Sequence, residues 1–189
     1  MIPNDPDPTA RPTPPAQRTR SFEDSPALAA QAVQMLCAAR TSLLLSADEA
    51  KSIVRQMRLV SFARGAVLFR EGDGSRSDYM LLLLEGDVAV DTAPLSGPQG
   101  SVTISALGPG SIIGEMAMLD GAPRSASCTA QSQVTAAGLT RWGLERLIDE
   151  QPRAAAKLLM VLAQSTAERL RAMGQQLQLY AQLSGTKRD

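Results

Sequence analysis

Histidine is absent from this 189-residue chain, and that one gap removes imidazole metal sites and imidazole acid-base catalysis together. The metal-dependent cupins, double-stranded barrels whose strand pattern is easily confused with the one below, go with them. Cysteine is scarce: Cys37 and Cys128 lie far apart and show no metal-ligand spacing, so two reduced thiols in a cytosolic setting are expected. Neither sign of charge prevails, with 19 Lys and Arg against 19 Asp and Glu, so no basic field is available to attract nucleic acid or an anionic membrane. No apolar run reaches membrane-spanning length, and the N-terminus is proline-rich and polar where a signal peptide would be apolar.

The length suits one domain with a real core plus extensions. Pro3, Pro6, Pro8, Pro12, Pro14, Pro15 and Pro26 stand among polar neighbours in residues 1–26, which predicts a disordered tail with too little apolar surface to fold. An alanine-rich run with Leu28, Val33 and Leu36 predicts a helix from Ala27 to Leu45. Ser46 followed by Glu49 is a capping box, and Ala50, Ile53, Val54 and Met57 give the helix it opens an apolar face. The period then changes. Short β-type runs are predicted at Leu59–Phe62, Val67–Phe69, Tyr79–Leu84, Val88–Asp91, Val102–Leu107, Ser111–Ile113, Ala126–Ala130 and Val134–Leu139. Glycine turns at Gly65, Gly72, Gly86, Gly97, Gly108 and Gly110 separate them, a pattern that argues for an antiparallel sandwich or roll.

Inside this region stands Ile112-Ile113-Gly114-Glu115-Met116-Ala117-Met118-Leu119-Asp120-Gly121-Ala122-Pro123-Arg124-Ser125-Ala126. Gly114 permits a positive φ or a close backbone approach, and Glu115 then starts a short helix whose first amides favour an anion. Arg124 can clamp a phosphate with two parallel charge-assisted hydrogen bonds, and Ser125 adds a hydroxyl donor. Small Ala126 leaves its amide accessible. Ionised Glu115 only accepts hydrogen bonds, so a sugar hydroxyl suits it. The pattern is a socket for a small anion carrying a sugar.

This run resembles the phosphate-binding cassette of the cyclic-nucleotide-binding domain family, found in catabolite activator proteins and in regulatory subunits of cyclic-AMP-dependent kinase. The resemblance rests on Gly114-Glu115, the hydrophobic Met116-Ala117-Met118-Leu119 and Pro123-Arg124-Ser125-Ala126, and the order of glycine turns is similar too. It implies that Glu115 holds a ribose 2′-hydroxyl and Arg124 the cyclic phosphate, with Gly114, Met116, Ala117, Ser125 and Ala126 completing the ligand site. A structural ion pair between Glu115 and Arg124, in a domain that has lost its ligand, is the alternative. The fold expected is mainly β with flanking helices: a double-stranded, jelly-roll-like antiparallel β-roll followed by a long C-terminal helix. Its organisation would be a tail over 1–26, N-terminal helices over 27–58, the roll over 59–140 with the cassette at 112–126, and C-terminal helices over 141–189.

Arg141 to Glu150 predicts a helix with Trp142, Leu144, Leu147 and Ile148 on its apolar side. A last helix is predicted from about Arg153 to Leu183. Along it Leu159, Ala163, Thr166, Leu170, Met173, Leu177 and Tyr180 recur at alternating spacings of four and three, the stripe of a coiled-coil seam or of a helix docked along its length. Ala163 and Thr166 are weak seam residues, and Gly174 costs about 1 kcal/mol relative to alanine. The resemblance implies that this helix makes a homodimer and covers the base. Ser165, Thr166 and Arg169 are candidate base contacts, with Gln164 and Glu168 beside them.

Cyclic AMP is the expected ligand, since Ser125 after the arginine matches bacterial cyclic-AMP sensors; cyclic GMP and cyclic di-GMP are alternatives. With the chain given ending at Asp189, no recognition helix for DNA is expected, and the output is expected to pass to a protein effector. A stand-alone cytoplasmic sensor without metal or enzymatic activity is the expectation, against a ligand-free interaction scaffold.

Overall fold

In the computed structural model, which describes residues 18–38, 44–74, 78–92 and 102–185, the roll is built from two antiparallel sheets. In chain order the elements are β1 (Arg18–Arg20), a 3-10 turn (Phe22–Asp24), α1 (Pro26–Ala38), α2 (Ala47–Arg55), β2 (Arg58–Phe62), β3 (Val67–Phe69), β4 (Tyr79–Glu85) and β5 (Val88–Thr92). Then come β6 (Val102–Leu107), β7 (Ile112–Ile113), α3 (Glu115–Asp120), β8 (Ser127–Ala130), β9 (Val134–Thr140), α4 (Arg141–Glu150) and α5 (Pro152–Gly185). One sheet has the order β1-β2-β9-β4-β7, the other β3-β8-β5-β6. The expected roll with flanking helices and a long last helix is the fold observed.

Strand β4 explains the layering. Its run Tyr79-Met80-Leu81-Leu82-Leu83-Leu84 is apolar at every position because both faces of the strand are covered. Successive side chains point to opposite faces, so Tyr79, Leu81 and Leu83 enter the core between the sheets, while Met80, Leu82 and Leu84 enter a second core under the helices. Strand β9 divides in the same way, Val134 and Ala136 to the first core, Ala137 and Leu139 to the second.

The capping box opens α2 as expected: Ser46 Oγ accepts from Glu49 N at 3.2 Å, and Glu49 Oε2 accepts from Ser46 N at 2.8 Å. Glu49 does more than cap. Lys157 Nζ of α5 donates to the same oxygen at 2.6 Å and to Leu44 O at 2.8 Å, which straps the start of α5 onto the start of α2. The capping amide and this ammonium hold the Glu49 carboxyl down at a pKa of about 2, the Lys157 hydrogen bond being the larger cause.

Four local expectations are corrected. Residues 18–25, assigned to the tail on composition, are structured: Arg18–Arg20 pairs with Ser61–Leu59 of β2, and Phe22 is buried. The free edge of β2 supplies partners that a proline count does not reveal; residues 1–17, with Pro12-Thr13-Pro14-Pro15, lie outside the described residues. The first helix is described over Pro26–Ala38, residues 39–43 lie outside the described residues, and the expected reach to Leu45 is not met, because Leu44 to Ser46 enter α2 without helical structure. On α4 the packed face is Gly143, Leu144 and Leu147, leaving Trp142 38 % and Ile148 44 % exposed. Trp142 sits on the flank, with the Arg146 guanidinium over its ring at 5.1 Å.

On α5 the buried stripe is Ala154, Ala155, Leu158, Val161 and Leu162. This face packs against α2 and α4 and differs from the expected seam: Ala163 is exposed, as are Leu170 (71 %) and Met173 (56 %), while the side chains of Leu177 and Tyr180 lie outside the described ones. Burying a leucine contributes roughly 1.5–3 kcal/mol, so the first three turns anchor the helix and residues 163–175 gain less from packing.

Candidate ligand-binding site

The backbone at Gly114 sets the geometry. It ends β7 and caps α3 at φ +77°, a left-handed conformation that glycine adopts without steric cost. A Cβ placed there would come within 2.6 Å of Arg124 Nη1 and 2.7 Å of Phe69 Cζ, so space as well as φ demands glycine. Two ionisable side chains from the cassette are buried around this point. Glu115 is 1 % exposed and Arg124 is 4 % exposed.

Arg124 is approached from three sides. Its backbone is fastened to the turn after β3, since Arg124 N donates to Asp73 O at 3.0 Å and Gly72 N to Arg124 O at 2.8 Å. Its guanidinium donates through Nη1 to Gly114 O at 2.8 Å and through Nη2 to Tyr79 O at 2.9 Å. Two aromatic rings complete the enclosure, with Cζ 4.0 Å from the Phe69 centroid and 4.7 Å from that of Tyr79. Burial lowers the Arg124 pKa, and Tyr79, Asp78, Cys128 and Asp73 counter that effect. An arginine starts so far above neutral that it stays charged. Neighbouring Cys128 is buried on β8, and desolvation pushes its thiol up to about 12, which leaves it inert at neutral pH.

Glu115 is met by the last helix. Arg169 Nη1 donates to Glu115 Oε1 at 2.8 Å, and Arg169 Nη2 donates to Ile112 O. Of the candidate base contacts, then, Arg169 lies in the site on the cassette carboxylate. Thr166 Oγ1 bonds back to Leu162 O at 3.0 Å, Gln164 donates to Glu168 along the helix surface, and Ser165 is half-buried. The fold thus gathers Gly114, Glu115, Arg124 and Arg169. Ala117 is buried beneath them, its carbonyl accepting from Gly121 N and Arg141 Nη2, and Ala126 is half-buried. Met116 and Ser125 are exposed. An ion pair between Glu115 and Arg124, the structural alternative raised by the sequence, is not formed: the Glu115 carboxylate meets Arg169 instead.

Phe69 and Tyr79 escaped the sequence reading, where they counted as strand residues. A signal was there: they are two of only six aromatic residues (Phe 3, Tyr 2, Trp 1), and they flank the segment that holds Gly72 and Gly74. Among the described residues no group of His, Cys, Asp and Glu is gathered to hold a metal, and no helix is long and apolar enough to cross a membrane.

Comparison with known proteins agrees with this geometry. The family model described as cyclic nucleotide-binding domain matches residues 59–151. A cyclic nucleotide-binding domain from Methylobacillus flagellatus is 33 % identical with a TM-score of 0.70, covering 76 % of this chain and 79 % of its own. The catabolite activator protein of Thermus thermophilus is 29 % identical with a TM-score of 0.60, over 72 % of this chain and 61 % of that one. A CRP-like cAMP-activated global transcriptional regulator of Mycobacterium tuberculosis is 30 % identical over 112 residues, 59 % of this chain. The match spans 48 % of that regulator, about half its length.

Proposed function

Because the chain belongs to the cyclic nucleotide-binding domain family, we propose that it is a sensor that binds a cyclic nucleotide, cyclic AMP foremost, at residues 112–126. Arg124 holds the cyclic phosphate and Glu115 the ribose 2′-hydroxyl. Amides around Gly114, Ala117 and Ala126 and the Ser125 hydroxyl complete the anion's surroundings, and Met116 flanks the sugar. The roll over 59–140 is the receiving unit, flanked by the helices at 27–58. The helices over 141–189 carry the output to a protein effector in the cytosol, with no enzymatic step.

The observation that carries this reading is the burial of two opposite charges, Glu115 and Arg124, on either side of Gly114 without a bond to each other. Burying a charge is costly, and two charged side chains brought together under cover need a compensating role, which recognition of a charged ligand supplies. Each is held by protein groups that a ligand can replace: carbonyl oxygens on Arg124, a guanidinium on Glu115. The cyclic AMP named for the Mycobacterium tuberculosis regulator supports that ligand. The exposed stripe Ala163, Leu170 and Met173 supports a second copy of the chain docking along α5. A ligand that displaces Arg169 from Glu115 shifts α5 only by its differential affinity for the two arrangements, typically 1–3 kcal/mol.

One observation favours a second reading, that of a ligand-free scaffold: both buried charges already have protein partners. Calorimetry separates the two. Cyclic AMP, cyclic GMP and cyclic di-GMP are titrated into the wild-type chain and into Arg124→Ala. Binding of cyclic AMP weakened tenfold to a hundredfold by the substitution, the worth of about 1.5–3 kcal/mol for a charged hydrogen bond, supports the sensor. Heat from none of the three ligands supports the scaffold, and unchanged affinity removes Arg124 from the site.

A further inference from the structure

Phe69 ends β3 in one sheet and Tyr79 begins β4 in the other, yet their rings meet at 5.2 Å between centroids with a 42° tilt. The Arg124 guanidinium lies against the faces of both, 4.0 and 4.7 Å from the two centroids. Both rings are buried, and Tyr79 Oη donates to Leu68 O at 3.4 Å, which ties its ring to the opposite sheet. From this geometry we propose that Phe69 and Tyr79 are positioning residues for Arg124. They form a two-ring clamp that fixes the plane of its guanidinium for an incoming anion and faces its charge while no anion is bound. The proposal rests on Arg124 being the anion-binding group of the site described above.

The physical case has three parts. An aromatic face carries negative potential, so two faces turned on one cation stabilise it where water cannot reach. A planar guanidinium seated in the corner of two touching, tilted rings keeps few rotamers, and a fork already oriented binds a planar pair of phosphate oxygens with less loss of freedom than one that must be ordered on binding. In the ligand-free protein the two carbonyls on Nη1 and Nη2 set the in-plane rotation, one of them belonging to Tyr79 itself, and they are the groups an anion exchanges for, while the rings keep the plane. Gly114 makes the arrangement sterically feasible, since a Cβ there would meet both the guanidinium and the Phe69 ring. Leucine at either ring position would fill volume without a face to offer.

The test uses the full chain with Tyr79→Phe, Tyr79→Leu and Phe69→Leu, each with Arg124 intact and with Arg124→Met. In the ligand-free protein the thermal midpoint is read. The leucine variants should lower it markedly when the guanidinium is present and by less than half as much when it is methionine; Tyr79→Phe should stay near wild type in both. An equal drop in both backgrounds, or failure to fold in both, makes the rings plain core residues and overturns the proposal. Failure to fold only with Arg124 present supports it. By calorimetry with cyclic AMP and cyclic GMP, folded leucine variants should bind the preferred nucleotide at least tenfold more weakly than wild type, and Tyr79→Phe within twofold. Leucine variants binding within twofold of wild type overturn the clamp while leaving the ligand site intact. Wild type binding neither nucleotide defeats the site and the positioning role together, and the midpoint comparison still reports whether the rings hold the cation.

Discussion

Arg169 and Glu115 are 54 residues apart in the chain and form an ion pair of 2.8 Å that joins the far half of α5 to the cassette. The pair is asymmetric: Glu115 is 1 % exposed and the Arg169 side chain 39 %. Its strength therefore falls between that of a surface pair, at most about 1 kcal/mol, and that of a buried one, whose breaking costs about 3–5 kcal/mol. Along α5 it follows a run of apolar anchors that ends at Leu162.

Replacing Arg169 by Ala should release the outer half of α5. Amide exchange in residues 163–175 is expected to speed up at least tenfold in the ligand-free protein, with residues 154–162 unchanged. Equal protection in both proteins would mean that something other than this pair holds the helix down.

Substituting Glu115 by Gln removes the acceptor-only carboxylate while keeping its volume. Cyclic AMP should bind about tenfold more weakly, and its 2′-deoxy analogue, which has no hydroxyl to offer, should lose little relative to its own binding to wild type. Parallel losses for both ligands in a calorimetric titration would contradict the ribose role.

Gly114→Ala combines a left-handed backbone with a methyl 2.6 Å from Arg124 Nη1. Backbone strain alone costs about 1–3 kcal/mol, and the displaced guanidinium adds to it. A fall in the chemical unfolding midpoint with loss of nucleotide binding is expected; Gly65→Ala, at φ +82° with open space around it, should carry the strain but leave binding intact.

Acid should loosen the join between α2 and α5. Glu49 titrates at about 2 in the fold against an ordinary 4.5, so its contribution is complete above pH 4.5 and is lost as the pH falls from there toward 2. Thermal midpoints measured across that window should fall less steeply for Glu49→Gln than for wild type, while matching slopes would show that Lys157 and the capping amide leave the carboxyl unperturbed.

How much of this was legible in the sequence follows from distance along the chain. Ser46 and Glu49 are three residues apart, and their capping box needs only helical geometry. The ends of α4 at Arg141 and Glu150, the turns at Gly65, Gly72, Gly86 and Gly110, and the positive φ at Gly114 are equally local, while the turn expected at Gly97 lies outside the described residues. The apolar run of β4 reads as a strand, while the covering of both its faces came from the packing. Strand β1 was lost because Arg18-Thr19-Arg20 has no apolar period of its own and exists by pairing with β2.

The amino-acid order by itself determined short antiparallel strands of a sandwich or roll, the turns between them and the flanking helices, because each depends on torsional preference or on a period of two or 3.6 residues; the roll in particular was implied by the resemblance of the cassette. Which groups those residues meet was decided only by tertiary structure. Lys157 reaches Glu49 across 108 positions, Arg169 reaches Glu115 across 54, and Phe69 and Tyr79 close on Arg124 from different sheets. Such contacts depend on how two sheets and a helix pack in three dimensions, and no spacing along a single chain encodes the distance between side chains on separate elements.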